Sequence, residues 1–346
     1  MSAKQPVLPK GAIVLITGVN GYIGSHIADQ LLARGYGVHG TVRSAEKGDW
    51  MKQAFSSRHP DALFKVFVVP DMATPGAFDE AMAGVAGVCH VASDLSFSKD
   101  PNVVIPNVLA GLGHVLDSAA QHSSVKRFVY TSSSTAATLP IHDKVFSIDA
   151  STWNEASIKA AWQPPPYEDG REWEVYASSK TEAEKAAWKF VDERKPGFVL
   201  NAVLPNFTMG PILHLKQPAS TGGWIRDVYK NPHDETIQQR QRNFPPQYHV
   251  DVVDIALLHI AGLLEEDVQG ERLFGFAESF NYNTVLAALR KIAPETKWPA
   301  DDPKQKRDLS QVDTKRAEEM LRRYGKDGWT SLEDSVRAVT QDPPVY

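Results

Sequence analysis

The sequence predicts an α/β protein with a doubly wound parallel sheet and a smaller, mainly C-terminal lobe. Short apolar runs alternate with segments of helical period through the first 205 residues. The first run is followed at once by Gly18, Gly21 and Gly24, and a later predicted helix carries Tyr176 and Lys180. Because strands that alternate with helices make right-handed crossovers, this order favours parallel strands with helices on both faces.

The elements follow in a regular order. Residues 12–17 are continuously apolar, which is typical of a strand buried on both faces. Ile23, Ile27 and Leu31 then recur at helical spacing until Gly35 ends the helix. Further strands are predicted at 36–42, 64–69, 87–92, 127–131 and 198–204, and further helices at 102–121 and from about Tyr176 to 195.

The character of the chain changes after Pro205. Residues 206–248 are rich in Pro, Gly, Gln and aromatic residues and have little periodicity. A helix at 250–264 and a strand at 272–276 suggest a return to the sheet, and helices are predicted at 282–292, 314–323 and 331–340. We therefore expect a Rossmann-type domain of residues 1–205 with a returning segment 249–277, and a substrate-binding lobe of 206–248 and 278–346.

Composition excludes several classes of function. With 42% hydrophobic and 23% charged residues and a net charge of −5, the chain has no electrostatic footprint for nucleic acid or acidic membranes. No apolar run approaches the roughly 18 residues that span a bilayer, so no membrane partner is expected. The N-terminal residues lack the apolar core of a secretory signal, which makes the cytoplasm the default location.

Cysteine and histidine usage points to neither disulfides nor metal. The single cysteine, Cys89, cannot form an intramolecular disulfide and lies in an apolar run, so buried packing is expected. His249 and His259 are too far apart for one helix face, and no Cys/His spacing suggests zinc. Asp251 and Asp254, near a helix start, are interpreted as structural.

The glycine spacing predicts a dinucleotide site. Glycine permits the tight turn, the close approach of backbone to a pyrophosphate, and close helix–strand packing, while the helix N-terminus faces the phosphates. The predicted contacts of this turn are Thr17, Gly18, Asn20, Gly21, Tyr22, Ile23 and Gly24.

The end of the second strand indicates which cofactor binds. An NAD site usually has an acid there, on the ribose hydroxyls, whereas this chain has Arg43 and Lys47, which can surround a 2′-phosphate. NADP(H) is therefore favoured over NAD(H). After the third strand, Asp71, followed by Met72, could accept from the adenine amino group or cap a turn. The end of the fourth strand should run beneath the cofactor with Val91, Ala92 and Ser93.

A proton-handling site is predicted from Tyr176 and Lys180. Four residues are about one helical turn, so both side chains lie on one face, and a nearby cation favours ionised tyrosine, whose ordinary pKa is about 10. Alone, this pattern is weak. The fifth strand ends in Ser132, Ser133 and Ser134, at the sheet edge where ligands of such folds bind, and a hydroxyl there can donate to a carbonyl oxygen.

These motifs together resemble the extended short-chain dehydrogenases/reductases. The glycine turn after Thr17, the strand-end serines, Tyr-x-x-x-Lys and the segment Leu204-Pro-Asn-Phe-Thr-Met-Gly-Pro211 occur in that family's order, across essentially the whole chain. Gly40-Thr-Val-Arg43 and His90-Val-Ala-Ser93 are similar to the dihydroflavonol and cinnamoyl-CoA reductase branch. Residues 179–190 and 200–206 are most similar to fungal NADPH-dependent aldehyde and carbonyl reductases.

The resemblance implies roles for individual residues. Ser133 matches the catalytic serine, Tyr176 the proton donor, and Lys180 the residue that binds the nicotinamide ribose and lowers the pKa of Tyr176. Pro205 and Asn206 would lie beside the nicotinamide, with Ser132 near the cofactor. The family often has a helix asparagine in a proton relay, for which Asn107 is the candidate.

The predicted substrate is a small, fairly apolar aldehyde or ketone, reduced to the alcohol. Apolar groups of 206–248 suggest a mostly hydrophobic pocket. The predicted pocket residues are Ser134, Phe207, Trp224, Phe244 and Gln247.

Two other functions stay open on the same fold. A nucleotide-sugar epimerase or dehydratase would keep NAD bound and need a cationic diphosphate subsite, for which Arg226, Arg240 and Arg242 are the candidates. A non-enzymatic NADP(H)-sensing regulator has usually lost the tyrosine, which this chain keeps. Either a monomer or a homodimer is compatible with the sequence.

Overall fold

The centre of the protein is a seven-stranded parallel sheet. A computed structural model describes residues 5–343, and its strands lie in the order β3-β2-β1-β4-β5-β7-β10. The order reverses between β1 and β4, where a Rossmann-type sheet opens its ligand crevice. The strands are β1 Ile13–Thr17, β2 Gly37–Val42, β3 Phe64–Val68, β4 Val85–His90, β5 Arg127–Thr131, β7 Val199–Pro205 and β10 Arg272–Gly275.

Helices cover both faces of this sheet. Within β1, Val14 and Ile16 pack into one buried cluster and Leu15 into another, which explains the continuous apolar run. The first cluster includes residues of α1 Tyr22–Ala33, α2 Ala45–Arg58, α9 Val252–Leu264 and α11 Lys315–Arg323. The second includes residues of α3 Asp79–Met82, α4 Pro101–Gln121, α5 Glu155–Ala161 and α6 Arg171–Arg194. The predicted doubly wound α/β fold is confirmed.

Residues 206–251 are more regular than the sequence indicated. A small sheet of order β11-β9-β8 packs above a third apolar cluster. The expected helix from residue 250 begins at Val252, because Asp251 is still in β9 and its carboxylate caps the helix by accepting from the backbone N–H of Val253 at 2.8 Å. The elements here are β8 Phe207–Met209, α7 Ser220–Lys230, α8 Glu235–Asn243, β9 Gln247–Asp251 and β11 Glu278–Phe280.

The remaining elements complete the C-terminal part and one edge. The predicted C-terminal helices are found within one residue of their expected starts. The division into two lobes stays a prediction. The remaining elements are β6 Ser147–Ile148, α10 Tyr282–Ile292, β12 Gln311–Val312 and α12 Leu332–Thr340.

Helix α4 corrects one expectation. By length and composition alone it is long and apolar enough to cross a membrane, although no such run was expected from the sequence. In the fold it connects β4 to β5, and Val104, Leu112 and Val115 are buried in the second cluster. The core helix of a folded protein passes the same test, so the finding is weak evidence for a membrane.

Cys89, in β4, is fully buried as predicted.

Candidate active site

A cavity of about 700 Å³ opens at the carboxyl ends of the parallel strands. It is lined from both halves of the chain, including the small sheet. The predicted residues that line it are Gly18, Asn20, Gly21, Tyr22, Ile23, Gly24, Arg43, Lys47, Met72, Val91, Ala92, Ser93, Ser132, Ser133, Ser134, Tyr176, Lys180, Pro205, Asn206, Phe207, Trp224, Phe244 and Gln247.

The glycine turn is shaped for close backbone approach. Gly18 has a left-handed φ of +63°, and a Cβ on it would lie 3.1 Å from Ala92. A Cβ on Gly24 would lie 2.6 Å from the carbonyl oxygen of Gly18, so only glycine fits there. Helix α1 follows with Gly21 as its N-cap, which forms no side-chain capping hydrogen bond. A helix N-terminus of this kind suits a phosphate.

Thr17 supports the site from behind and does not line the cavity. Its buried Oγ1 accepts from the backbone N–H groups of Val91 and Ala92 at 3.0 and 3.1 Å, and lies 2.8 Å from Nδ1 of His90. Burial lowers the pKa of His90 to about 3, with nearby Lys180 adding to the effect, so the ring is neutral. The Thr17 hydroxyl joins the ends of β1 and β4, and a direct cofactor contact at Thr17 stays a prediction.

Arg43 and Lys47 line the end of the cavity beside β2 and α2. Both are exposed, and within residues 5–343 neither forms an ion pair with a carboxylate. Asp71 is not part of the lining: it is exposed and caps a turn by accepting from the backbone N–H of Ala73 at 2.9 Å. The turn-cap alternative for Asp71 is therefore found in the structure, and the adenine contact stays a prediction.

Tyr176 keeps its proton in this structure. Burial raises the pKa of its phenol above the ordinary value, and a hydrogen bond with Ser133 opposes the shift. Lys180 is 4% exposed, its Nζ donates to the carbonyl oxygen of Thr131 at 3.2 Å, and burial lowers its pKa to about 8 while Glu184 opposes that change. The net shift of the Tyr176 pKa is upward and is caused by burial, and the lowering expected from Lys180 stays a prediction.

Ser133 is the strand-end serine that contacts Tyr176. Its Oγ also accepts from the backbone N–H and the hydroxyl of Thr135, at 3.2 and 3.0 Å, where a short 3₁₀ turn begins. Ser132 instead donates to Glu184 at 2.6 Å. This arrangement favours Ser133 for contact with a substrate oxygen.

Aromatic rings form the wall beside Tyr176. Phe244 packs edge-on against Phe207 and Trp224, with ring centroids 5.5 and 5.1 Å apart. Two aromatic residues of the lining were missed from the sequence: Phe97, 5.4 Å from the ring of Tyr176, and Trp173, 5.1 Å from Phe97.

A sequence pattern identifies one of these two residues and not the other. Trp173 precedes Tyr176 by three residues on the same helix face, and that spacing could have identified it. Phe97 lies in an irregular segment with a left-handed φ of 51°, for which no periodic pattern exists. The other missed lining residues are Thr41, Val42, Val69, Asp94, Leu95, Ser96, Thr131, Thr135, Thr208, Pro218, Ser220 and Thr221.

Several candidate residues lie away from the cavity. Asn107 is exposed on α4 and does not line the cavity, so the structure does not bring this candidate to the site. The three arginines considered for a diphosphate subsite also do not line it. Their charges pair elsewhere, Arg226 with Asp342, Arg240 with Asp227 and Arg242 with Glu235.

The fold and site place the chain in a known family. A sequence model of the NAD dependent epimerase/dehydratase family matches residues 14–208. The chain is 45% identical over 343 residues to the NAD-dependent epimerase/dehydratase terH of Aspergillus terreus, covering 99% of this chain and 100% of that protein. The protein therefore belongs to the NAD dependent epimerase/dehydratase family, within the extended short-chain dehydrogenases/reductases.

Particular relatives are named as reductases. Aldehyde reductase 2 of Sporidiobolus salmonicolor is 43% identical over 333 residues, covering 96% of each chain. Among solved structures, yeast methylglyoxal/isovaleraldehyde reductase Gre2 complexed with NADPH superimposes with a TM-score of 0.78 at 25% identity, covering 94% of this chain and 96% of that one. The resemblance to reductases of this family is thereby confirmed.

Proposed function

We propose that this protein reduces an aldehyde or ketone to the alcohol with NADPH. The observation that carries the proposal is the phenol of Tyr176 in the wall of the cavity, beside Ser133 and one helical turn before Lys180. The reductase names of relatives that match nearly the whole chain support the same reaction.

The site fits NADP(H) at the end opposite the aromatic wall. The glycine turn leaves room for a pyrophosphate against the first turn of α1, and Arg43 and Lys47 supply two cations where an NAD site usually has an acid. Solved neighbours that contain NADPH support this choice. When bound, NADPH supplies the hydride for the carbonyl carbon.

The roles of the side chains follow from their geometry. Tyr176 donates its proton to the developing alkoxide, and Ser133 hydrogen-bonds the same oxygen. The Lys180 ammonium, anchored on the carbonyl oxygen of Thr131 one helical turn after Tyr176, would bind the ribose hydroxyls of the cofactor. The aromatic wall of Phe97, Trp173, Phe207, Trp224 and Phe244 excludes water and suits a fairly apolar substrate.

The epimerase or dehydratase alternative is less well supported. Two relatives carry that name, but a sugar diphosphate needs cations beside the substrate. The basic residues in the lining are Arg43, Lys47 and Lys180, and the proposed cofactor contacts engage all three. The retained Tyr176 and Lys180 likewise disfavour a purely sensing role.

The test follows oxidation of NADPH by its absorbance with a panel of aldehydes, ketones and β-keto esters, and with NADH in parallel. We expect turnover of at least one apolar carbonyl compound and a preference for NADPH. Turnover of none of them, together with NAD that stays bound through purification, would favour the epimerase and refute the proposal.

A further inference from the structure

Glu184 is a buried carboxylate behind the site, one helical turn after Lys180. It is fully buried, and its oxygens accept hydrogen bonds from three side chains, one of which, Arg272, donates from both Nε and Nη2. The hydroxyl of Ser132 donates to Oε2 at 2.6 Å, Nε of Arg272 donates to Oε1 at 2.7 Å, and the indole of Trp188 donates to Oε1 at 3.2 Å. Burial of a charge is costly unless it is paired and hydrogen-bonded, and here both conditions are met.

Arg272 is itself fixed in place. Its side chain is 5% exposed, and its Nη1 donates to the carbonyl oxygens of Thr152 and Ala150 at 2.7 and 3.0 Å. Its guanidinium lies 3.9 Å from the ring centroid of Trp153. A continuous set of buried contacts therefore runs from the edge strand β10 through Glu184 to Ser132, which precedes Ser133 in the cavity wall.

We propose that Glu184 is a positioning residue of this site: its carboxylate fixes the strand end that carries Ser133 and places a negative charge one helical turn from the ammonium of Lys180. The proposal deepens the reductase function given above and rests on it. Residues four apart on a helix are neighbours, so the carboxylate and the ammonium lie on the same face of α6.

Among the ionisable groups that surround Lys180 and are described next, Glu184 is the one that supplies a negative charge. Tyr176 on α6 and Tyr130 on β5 are neutral, since burial raises the pKa of each phenol, and the ring of Tyr130 lies 5.7 Å from Nζ. His90 on β4 is neutral because burial lowers its pKa to about 3. Burial also lowers the pKa of Lys180 to about 8, against the opposing attraction of Glu184. Arg272 on β10 is the second cation, already held by the same carboxylate.

The first experiment measures the ionisation of Lys180 directly. In protein labelled with ¹³C at lysine Cε, the Lys180 resonance is assigned by its loss in Lys180→Met and titrated with pH by NMR. We expect Glu184→Gln, which keeps the size of the side chain and removes its charge, to lower the pKa of Lys180 by about one unit. The matched control is Glu182→Gln, because Glu182 lies on the same helix but accepts from Ser178 and Trp162 instead; it should leave the titration unchanged.

The second experiment separates the two parts of the role by kinetics. The assay uses a substrate that the wild type reduces. We expect Glu184→Gln to shift the alkaline limb of the pH profile of kcat to lower pH. Glu184→Asp keeps the charge, but its shorter side chain no longer reaches Ser132. We therefore expect the alkaline limb to stay at the same pH and kcat to fall by roughly 10- to 100-fold. Little change in KM is expected, since Glu184 does not line the cavity.

An unshifted Lys180 titration and an unshifted alkaline limb in folded Glu184→Gln would overturn the proposal. If Glu184→Gln does not fold, the aspartate variant decides, and an unchanged kcat there contradicts the positioning role. Failure of the reductase function looks different. The wild type would then oxidise no NADPH with any carbonyl compound, while the NMR titration would still report on Glu184 and Lys180.

Discussion

Burial keeps the phenol of Tyr176 protonated, and Ser133 lies beside it. Burial raises the pKa of the phenol, so the group is protonated at neutral pH and can act as an acid toward a carbonyl oxygen. Lys180, with a pKa near 8, is mostly charged below that pH and loses its charge above it. The side chains thus have the protonation states that reduction requires near neutrality.

Replacement of Tyr176 by phenylalanine tests the acid. Tyr176→Phe removes the hydroxyl and keeps the ring against Phe97. We expect kcat to fall by roughly 10²–10⁴, the usual effect of losing a positioned acid, with NADPH affinity little changed. Steady-state kinetics and a fluorescence titration of NADPH measure the two quantities, and full residual kcat would remove Tyr176 from its role.

Arg43 is expected to set the cofactor preference. Arg43→Asp replaces a cation at the end of β2 with the acid that NAD sites use for ribose hydroxyls. The ratio of kcat/KM for NADPH to that for NADH should fall below one. The neighbouring exposed Glu46→Gln, which does not line the cavity, serves as the control. An unchanged ratio in Arg43→Asp would refute the assignment of the 2′-phosphate contact.

Residue types and spacing predicted Gly18, Gly21, Gly24, Tyr176, Lys180 and the strand-end serines. They did not predict which way a side chain points. Asn107 lies on the expected helix but on its exposed side, and Asp71 turns back onto its own loop. Phe97 was missed because a tertiary contact, and no local pattern, brings it to Tyr176.

At the scale of elements, the turn between β1 and α1 is held by backbone contact. In Gly24→Ala the new Cβ would lie 2.6 Å from the carbonyl oxygen of Gly18, which must then move. We expect the Kd for NADPH to rise at least about tenfold, equivalent to roughly 1.4 kcal/mol.

A matched glycine provides the control for that experiment. Gly113 lies inside α4, and a Cβ there would meet nothing within 4 Å. Gly113→Ala should leave the Kd unchanged and stabilise the protein by roughly 0.5–1 kcal/mol, because alanine loses less entropy in a helix. Equal Kd values for Gly24→Ala and the wild type would contradict the tight turn.

The start of α9 predicts a pH-dependent stability. Burial and nearby Asp254 raise the pKa of Asp251 to about 7. The native state therefore binds a proton that the unfolded state has released between pH 4 and 7, and the contribution of Asp251 to stability falls as the pH rises through that window. Asp251→Asn keeps a capping oxygen and cannot ionise.

Urea unfolding at pH 5 and pH 8 measures this effect. We take the free energy of unfolding of Asp251→Asn minus that of the wild type. From pH 5 to pH 8 this difference should rise by roughly 2 kcal/mol. The exposed Asp61→Asn should show no such change. If this difference were the same at both pH values, the pKa of Asp251 would not be raised in the folded protein.

Element types were predictable where periodicity or apolar runs were long. The strands of the main sheet were found within about two residues, because burial on both faces demands continuous apolar sequence. Residues 206–251 were not, since β8 has three residues and β9 five, and their pairing depends on distant β11. Short elements of this kind are stabilised by tertiary packing, which local sequence does not encode.

At the scale of the whole molecule, the cavity is assembled from residues that are far apart in sequence. Lining residues extend from Gly18 to Gln247, so the fold brings the glycine turn, helix α6 and the aromatic wall together. The doubly wound topology was predictable because crossovers between parallel strands are right-handed. The position of the crevice follows from the place where the strand order reverses, between β1 and β4. The shape of the wall was not predictable, since it depends on how Phe97, Trp173 and the rings of residues 207–244 pack against one another.

The central claim is that hydride passes from NADPH to a carbonyl carbon in this cavity. It is tested most directly by incubating the enzyme and an apolar ketone or aldehyde with NADPH carrying deuterium at C4 of the nicotinamide, and analysing the alcohol by mass spectrometry. The account predicts one deuterium on the carbinol carbon, at a rate that falls in Tyr176→Phe. Alcohol without deuterium from either C4-labelled epimer of NADPH, or no alcohol from any substrate that binds, would contradict it.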